Sequence, residues 1–177
     1  MEGYRRHVKS AIPPERAAEV DHVDALARRL VGHIHDTSAE IAAIHVHGAK
    51  SKTVQDHFAR LLRLELGFDE EVVLTPQSGF VTQARPDFFF SLGPGRGVIA
   101  EVERGGTTTN NHDLKDLWKA HLSPDSHHLF LIVPWNNWKA DGSARERPFQ
   151  VVARRIGAFF GDPRREIDVL SAHIFAY

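Results

Sequence analysis

The chain has no cysteine among its 177 residues, so neither a disulfide framework nor a thiolate metal site is available to it. No apolar run approaches the ~20 residues that a membrane-spanning helix needs, and no membrane partner is expected. The opening stretch, MEGYRRHVKSAIPPERAAEV, lacks the apolar centre of a signal peptide, which makes a cytoplasmic location the default expectation. Net charge is nearly absent: 22 Lys and Arg against 23 Asp and Glu leave −1. Attraction of the whole chain to nucleic acid is therefore not an argument, and such a partner needs a local basic face. Arg145 with Arg147, Arg154 with Arg155 and Arg164 with Arg165 are candidates for one, or are ordinary solvated surface. Repeats, low-complexity tracts and interdomain linkers are also missing.

What is present is the composition of a globular protein, 42% hydrophobic and 25% charged. The length predicts one domain, residues 1–177, large enough to bury a core without staples. Twelve histidines are unusual, and more than half fall before residue 60. Were His45, Val46 and His47 on a strand, the two imidazoles would share a face as a candidate transition-metal pair. Unrelated surface histidines are the competing reading.

Helical spacing of Val20, Val23, Ala27, Leu30 and Ile34 predicts a first helix after Pro13 and Pro14, over about 14–34. A second helix is predicted from near Thr53, with Asp56 three residues on in the manner of a capping box. Its stripe is Val54, Phe58, Leu61 and Leu62, and Gly67 is its stop. EVVLT at 71–75 reads as a strand. DFFFSL at 87–92 and VIAEVE at 98–103 read as two more, joined by the turn signal GPGRG at 93–97. Residues 110–122 read as a helix with Leu114, Leu117, Trp118 and His121 on one side. LFLIV at 129–133 reads as a strand buried on both faces. Pro148 opens a helix striped by Phe149, Val152, Ala153, Ile156, Phe159 and Phe160, stopped by Gly161, Asp162 and Pro163. A last strand is expected within 167–175. The order predicts an α/β fold, a central mixed sheet flanked by helices.

The hairpin at 87–103 carries the chemistry. Strand side chains alternate faces, so Glu101 and Glu103 share one. With the turn centred on Gly95, Asp87 lies opposite Glu103; with the register shifted by two it lies opposite Glu101. Either way the three carboxylates fall on one face, with opposed Cβ atoms about 5 Å apart. Phe88, Phe90, Ala100 and Val102 fall on the other face and anchor the hairpin. Like charges so placed destabilise a sheet, and a hard divalent cation such as Mg²⁺ would relieve them. The alternative is an edge hairpin whose acidic face pairs with Arg85, Arg96 and Arg104.

Arg85, Pro86 and Asp87, then thirteen residues, then Glu101, Val102 and Glu103 resemble the motif of the PD-(D/E)xK nuclease superfamily, which includes many restriction endonucleases. The resemblance covers about residues 50–160 and extends to element order, a helix before the hairpin and then helix, strand, helix. It implies a restriction endonuclease-like fold and Mg²⁺- or Mn²⁺-dependent hydrolysis of phosphodiesters, in DNA or, as an alternative, RNA. Asp87, Glu101 and the Val102 carbonyl would hold the metal. Glu103 stands where the family has lysine, and would act as base, as ligand to a second metal or as the mark of a silent site. In other members the lysine migrates to a nearby helix, for which Lys119 or Lys115 is available. The family also draws an acid or glutamine from the preceding helix, here Gln55 or Asp56, although Asp56 is equally a capping residue.

Downstream, Arg104, Thr107, Thr108, Thr109, Asn110 and Asn111 lie in a small polar stretch with Gly105 and Gly106, suited to phosphate or base-edge contacts; either asparagine could instead cap the next helix. Trp135 and Trp138 could stack on bases or pack under a loop. The rival function is a nuclease fold without catalysis that binds nucleic acid or a protein. A small domain with one site cuts one strand per event, so a homodimer is expected. Size-exclusion chromatography with light scattering should show twice the chain mass on DNA, and a strict monomer there counts against it.

Overall fold

Every residue of HLFLIV at His128–Val133 is buried, which requires an apolar layer on each face of that strand. The computed structural model, which describes residues 2–74, 84–162, 164–165 and 167–177, supplies both layers. The strands are β1 (Tyr4–Val8), β2 (Asp69–Glu70), β3 (Phe88–Gly93), β4 (Arg96–Val102), β5 (His128–Val133), β6 (Asn137–Trp138), β7 (Ala144–Glu146) and β8 (Ser171–Ala176). Six form one mixed sheet, in the order β1-β8-β5-β4-β3-β2, and β6 pairs with β7 apart from it. β4, β5 and β8 are parallel neighbours; the pairs β1–β8, β2–β3 and β3–β4 are antiparallel.

Alternation along the strands builds two cores. Phe88, Val98, Ala100, Phe130, Ile132 and Phe175 face one side. There α1 (Ala17–Asp36) and α3 (Ser51–Ala59) bring Val23, Leu30, Val54 and Phe58 against them. Phe89, Ile99, Leu129, Leu131 and Ile174 face the other, under Leu117 of α4 (His112–Leu122) and Val152 and Ile156 of α5 (Pro148–Phe160). The short helix α2 (Ser38–Ile44) completes a three-layer α/β domain with five α-helices among the described residues. None of the described helices is long and apolar enough to cross a membrane.

The hairpin turn shows why its glycines are where they are. Gly95 has φ +63°, a left-handed value that a side chain resists. A Cβ at Gly97 would collide with the Phe89 ring lying over it.

Several elements differ from the sequence expectation. α3 begins at Ser51 with Lys50 at its N-cap, and no side chain caps it. Asp56 instead meets Lys52 one turn back at 3.2 Å, which is an exposed i,i+4 pair and not a capping box. The helix then widens into a π turn, Arg60–Glu65, before Gly67 at φ +78°. The strand expected at 71–75 does not form over its described part, because Glu71 turns to φ +53° and breaks the extended run; Thr75 lies outside the described residues, as does Pro163. His45 caps the end of α2 and is not on a strand, so His45 and His47 share no sheet face. The sheet also reaches past residues 50–160, since β1 and β8 belong to it.

Beneath the amino ends of β5 and β8 runs a buried polar chain. His128 contacts Glu19 at 3.1 Å through Nε2 and Ser171 at 2.7 Å through Nδ1. Ser171 meets His173 at 3.0 Å, and His173 meets the Tyr4 hydroxyl at 2.7 Å. Burial pushes His128 down to about 4 and His173 to about 3, so both imidazoles are neutral in the folded protein at pH 7. The unfolded chain takes up these protons near pH 6.5. Stability from the neutral rings is therefore present above about 6.5 and lost as pH falls towards 4. Urea midpoints should drop across that window, and His173→Asn should flatten the drop by up to about 1.4 kcal/mol per pH unit.

Candidate active site

β3 and β4 meet in the register Phe88↔Ala100, which places Asp87 opposite Glu101, the second of the two registers expected from the turn. The pairing is locked by the side chains themselves. The Val102 N–H donates to Asp87 Oδ2 at 2.9 Å, and the Asp87 N–H donates to Glu101 Oε2 at 3.2 Å. Asp87 is further fixed by the residue that follows β2, because the Glu71 N–H donates to its carbonyl at 3.0 Å.

Glu101 points to the face covered by α4 and is 4% exposed. An ionised carboxylate there needs a cation, and α4 provides one. Lys119 Nζ donates to Glu101 Oε1 and, at 3.2 Å, to Asp116 Oδ1. Residues 116 and 119 are i,i+3 neighbours on one helix face, so a single helix delivers both partners. Asp116 is itself 5% exposed, and its Oδ2 is buried without a hydrogen-bond partner.

Two buried carboxylates thus hold one ammonium, with the half-buried Asp87 bonded alongside through Glu101. Burial pushes Asp87 up, against the pull of the Val102 N–H. Burial and the negative charge of Asp116 push Glu101 well up, against Lys119. Burial raises Asp116 more than Lys119 lowers it, and Glu103 adds to the rise. Burial alone would lower Lys119, but Glu101 and Asp116 outweigh it and hold the amine above its usual value. When its carboxyls are ionised, the cluster carries more negative charge than Lys119 neutralises.

Glu103 shares the face but is not bonded to Lys119. Its Oε2 lies 3.0 Å from His112 Nδ1, and its carbonyl accepts the Tyr177 hydroxyl at 2.7 Å. Gln55 is half-buried on α3 and makes no hydrogen bond to the carboxylates. Asp56 is exposed and belongs to the Lys52 and Glu70 surface pairs. Lys115 is exposed on α4 and makes no bond to the cluster. Of the helix residues expected, the structure brings only Lys119 to the carboxylates.

The polar stretch after β4 is more occupied than its composition suggests. Thr107 is fully buried and offers no hydroxyl to a ligand. Thr108 Oγ1 donates to Glu146 at 3.1 Å, and Asn111 Oδ1 accepts from Arg155 at 2.6 Å. Asn111 is the N-cap of α4 but in a left-handed conformation, with no capping bond from its side chain. Arg104 donates to the Val46 carbonyl at 2.9 Å. Thr109 and Asn110 remain exposed. Arg155 also reaches Asp113, a fully buried carboxylate, at 3.4 Å and ties this stretch to α5.

Asp116 was missed from sequence because α4 was expected to bury Leu114, Leu117, Trp118 and His121. Its inner stripe is Asp113, Asp116, Leu117 and Ala120, and Trp118 is 57% exposed. The signal was the spacing of Asp116 to Lys119, read together with the unanswered charge of Glu101.

A hard divalent cation suits these donors, all carboxylate oxygens, one of them without a partner. Among the described residues, however, no three His, Asp or Glu side chains converge closely enough to hold one as they stand. Lys119 occupies the place between Glu101 and Asp116. No family model matches the chain, and no curated protein matches it in sequence.

Because Lys119 is, among the described residues, the only cation bonded to Glu101 and Asp116, Lys119→Met should destabilise the fold by about 3 kcal/mol at pH 8. The loss should shrink as pH falls and the two carboxyls take up protons, measured by urea unfolding at a series of pH values.

Proposed function

We propose that the chain is a divalent-metal-dependent nuclease with a restriction endonuclease-like α/β fold of the PD-(D/E)xK kind, hydrolysing phosphodiester bonds of DNA in the cytoplasm. The observation that carries this reading is the convergence of Asp87, Glu101, Asp116 and Lys119, from a hairpin and the following helix, in one buried and under-neutralised cluster. Asp87 and Glu101, with the Val102 carbonyl, would hold Mg²⁺ or Mn²⁺, and the unpartnered Oδ2 of Asp116 is a further oxygen for it. When bound, such an ion lowers the pKa of a bound water and stabilises charge on the attacked phosphate.

Lys119 is suited to stabilising charge and not to taking a proton. An amine held above its usual pKa by two carboxylates stays protonated at neutral pH. Positioned beside Glu101, its ammonium can neutralise a phosphate oxygen as negative charge builds there. Glu103, held by His112, is the carboxylate left to orient or deprotonate the attacking water. The substitution of lysine by glutamate in the motif is thereby answered from α4: Lys119 supplies the positive charge and Glu103 the base.

A second reading has one observation behind it. Lys119 already bridges Glu101 and Asp116, and a site satisfied by its own lysine is what a catalytically silent, nucleic-acid- or protein-binding relative would retain. Plasmid DNA incubated with the protein in Mg²⁺ or Mn²⁺ separates the two. The nuclease reading expects nicking or linearisation that stops with EDTA and falls by at least about 100-fold in Asp87→Ala and Glu101→Gln, with RNA assayed in parallel. Absence of cleavage, together with no divalent-cation uptake by calorimetry, leaves the silent module.

A further inference from the structure

The carboxyl ends of β4, β5 and β8 carry a feature that hydrolysis at the carboxylate cluster does not use. Ligand crevices in open α/β sheets form beyond such ends, and here two depressions meet. The nearer, about 170 Å³, starts at Arg104, Gly105 and Gly106, directly after Glu103, and runs to Trp138 and Arg145. The farther, about 890 Å³, is walled by Trp138 and Ile41 and closed by Ala176 and Tyr177. His45, Val46, His47 and Trp138 line both, so they form one continuous groove. The larger part lies within the roughly 300–1,000 Å³ of ligand pockets.

Its floor is held in place before any ligand arrives. His45 Nε2 donates to the Asn136 carbonyl at 2.8 Å, and its ring meets Tyr177 edge-on at 5.1 Å. Trp135 is taken up in stacking on Phe149, whereas Trp138 is 36% exposed and Val46 50% exposed at the groove. The lining is net positive, with Arg104, Lys139 and Arg145 against one carboxylate, Glu146. Lys139 and Arg145 are exposed and Arg104 lies beside them. The carboxylate among them, Glu146, already accepts from Asn137 at 2.7 Å and Thr108 at 3.1 Å.

A free aromatic face beside free cations is the chemistry that holds an unpaired nucleotide strand, with bases stacked and phosphates neutralised. A duplex offers the phosphates but hides its base faces. An apolar peptide would use the floor and leave the cations idle. We propose that this groove binds single-stranded DNA, with a base on Trp138 and the backbone at Lys139 and Arg145, so that the preferred substrate of the neighbouring carboxylates is DNA with an unpaired segment. The choice of DNA rests on the nuclease reading.

The test is fluorescence anisotropy with the full chain in EDTA, using a short labelled single-stranded DNA, its blunt duplex and the RNA of the same sequence. The single strand should bind at least about tenfold more tightly than the duplex. Trp138→Ala should weaken it about tenfold, while Trp138→Phe, which keeps a stacking face, restores most of the affinity. Lys139→Glu and Arg145→Glu should each flatten the log–log salt dependence by about 0.7. Equal affinity for duplex, tighter binding of the RNA, or a Trp138→Ala variant that binds as well as the parent overturns the proposal. Plasmid cleavage in Mg²⁺ by the same variants separates the two ideas. Cleavage without single-strand binding removes the groove and leaves the nuclease; Trp138-dependent binding without cleavage keeps the groove and removes hydrolysis.

Discussion

Glu101 lies on a central strand with 4% of its surface exposed, where an ionised carboxylate is unstable unless a cation reaches it. Much of the surrounding structure answers that demand. α4 is rotated so that Asp116 and Lys119 face the sheet, at the expense of leaving Trp118 in solvent. The end of the β3–β4 ladder gives up a backbone pair for side-chain bonds between Asp87 and the strand opposite. Arg155 reaches from α5 to brace the start of α4 through Asp113 and Asn111. A hydrophobic residue at 101 would make all of this unnecessary. Buried ion networks of this kind are often no more stable than apolar replacements, so the cluster is not a device the fold needs for its stability.

The sheet separates two polar systems by position. The carboxylates and the aromatic groove lie at the carboxyl ends of the parallel strands. The chain from Glu19 through His128, Ser171 and His173 to Tyr4 lies at the opposite end, with its three middle members wholly buried. Ser171, His128 and Glu19 have the connectivity of a hydrolytic triad, yet Ser171 and His128 are wholly buried, so no substrate reaches the hydroxyl. Twelve histidines in the sequence therefore sort largely by burial: some are neutral joints within the core, others are surface groups.

Much of the fold was legible because period-two and period-3.6 patterns are local. HLFLIV, the helix opened by Pro148 and the Gly-Pro-Gly turn each announce themselves within a few residues. β1 did not, because YRRHV is an edge strand whose arginines face water and whose partner lies at the other end of the chain. The strand expected at 71–75 reads as β-branched text, but one left-handed residue, Glu71, overrides propensity. In the site, the hairpin pattern alone put Asp87 and Glu101 on one face, and Lys119 was one of two lysines available on the following helix. Asp116 could not be named, since it takes the place of an expected apolar contact. Thr107 was misjudged because composition alone makes a threonine in a polar stretch look accessible.

β8 lies between β1 and β5, and the contact of Tyr4 with His173 spans 169 residues. The β3–β4 hairpin can close at once, and β5 can join it through α4 by a short crossover. β1, in contrast, has no partner in the sheet until residues near 171 arrive. Contacts of such sequence separation carry a large loop-closure entropy and slow folding. The structure therefore separates into an early part that already contains the hairpin, α4 and the acidic cluster, and a late part that closes the sheet edge. During that interval the edge of β5 is unpaired and apolar, the kind of surface on which folding intermediates associate with one another.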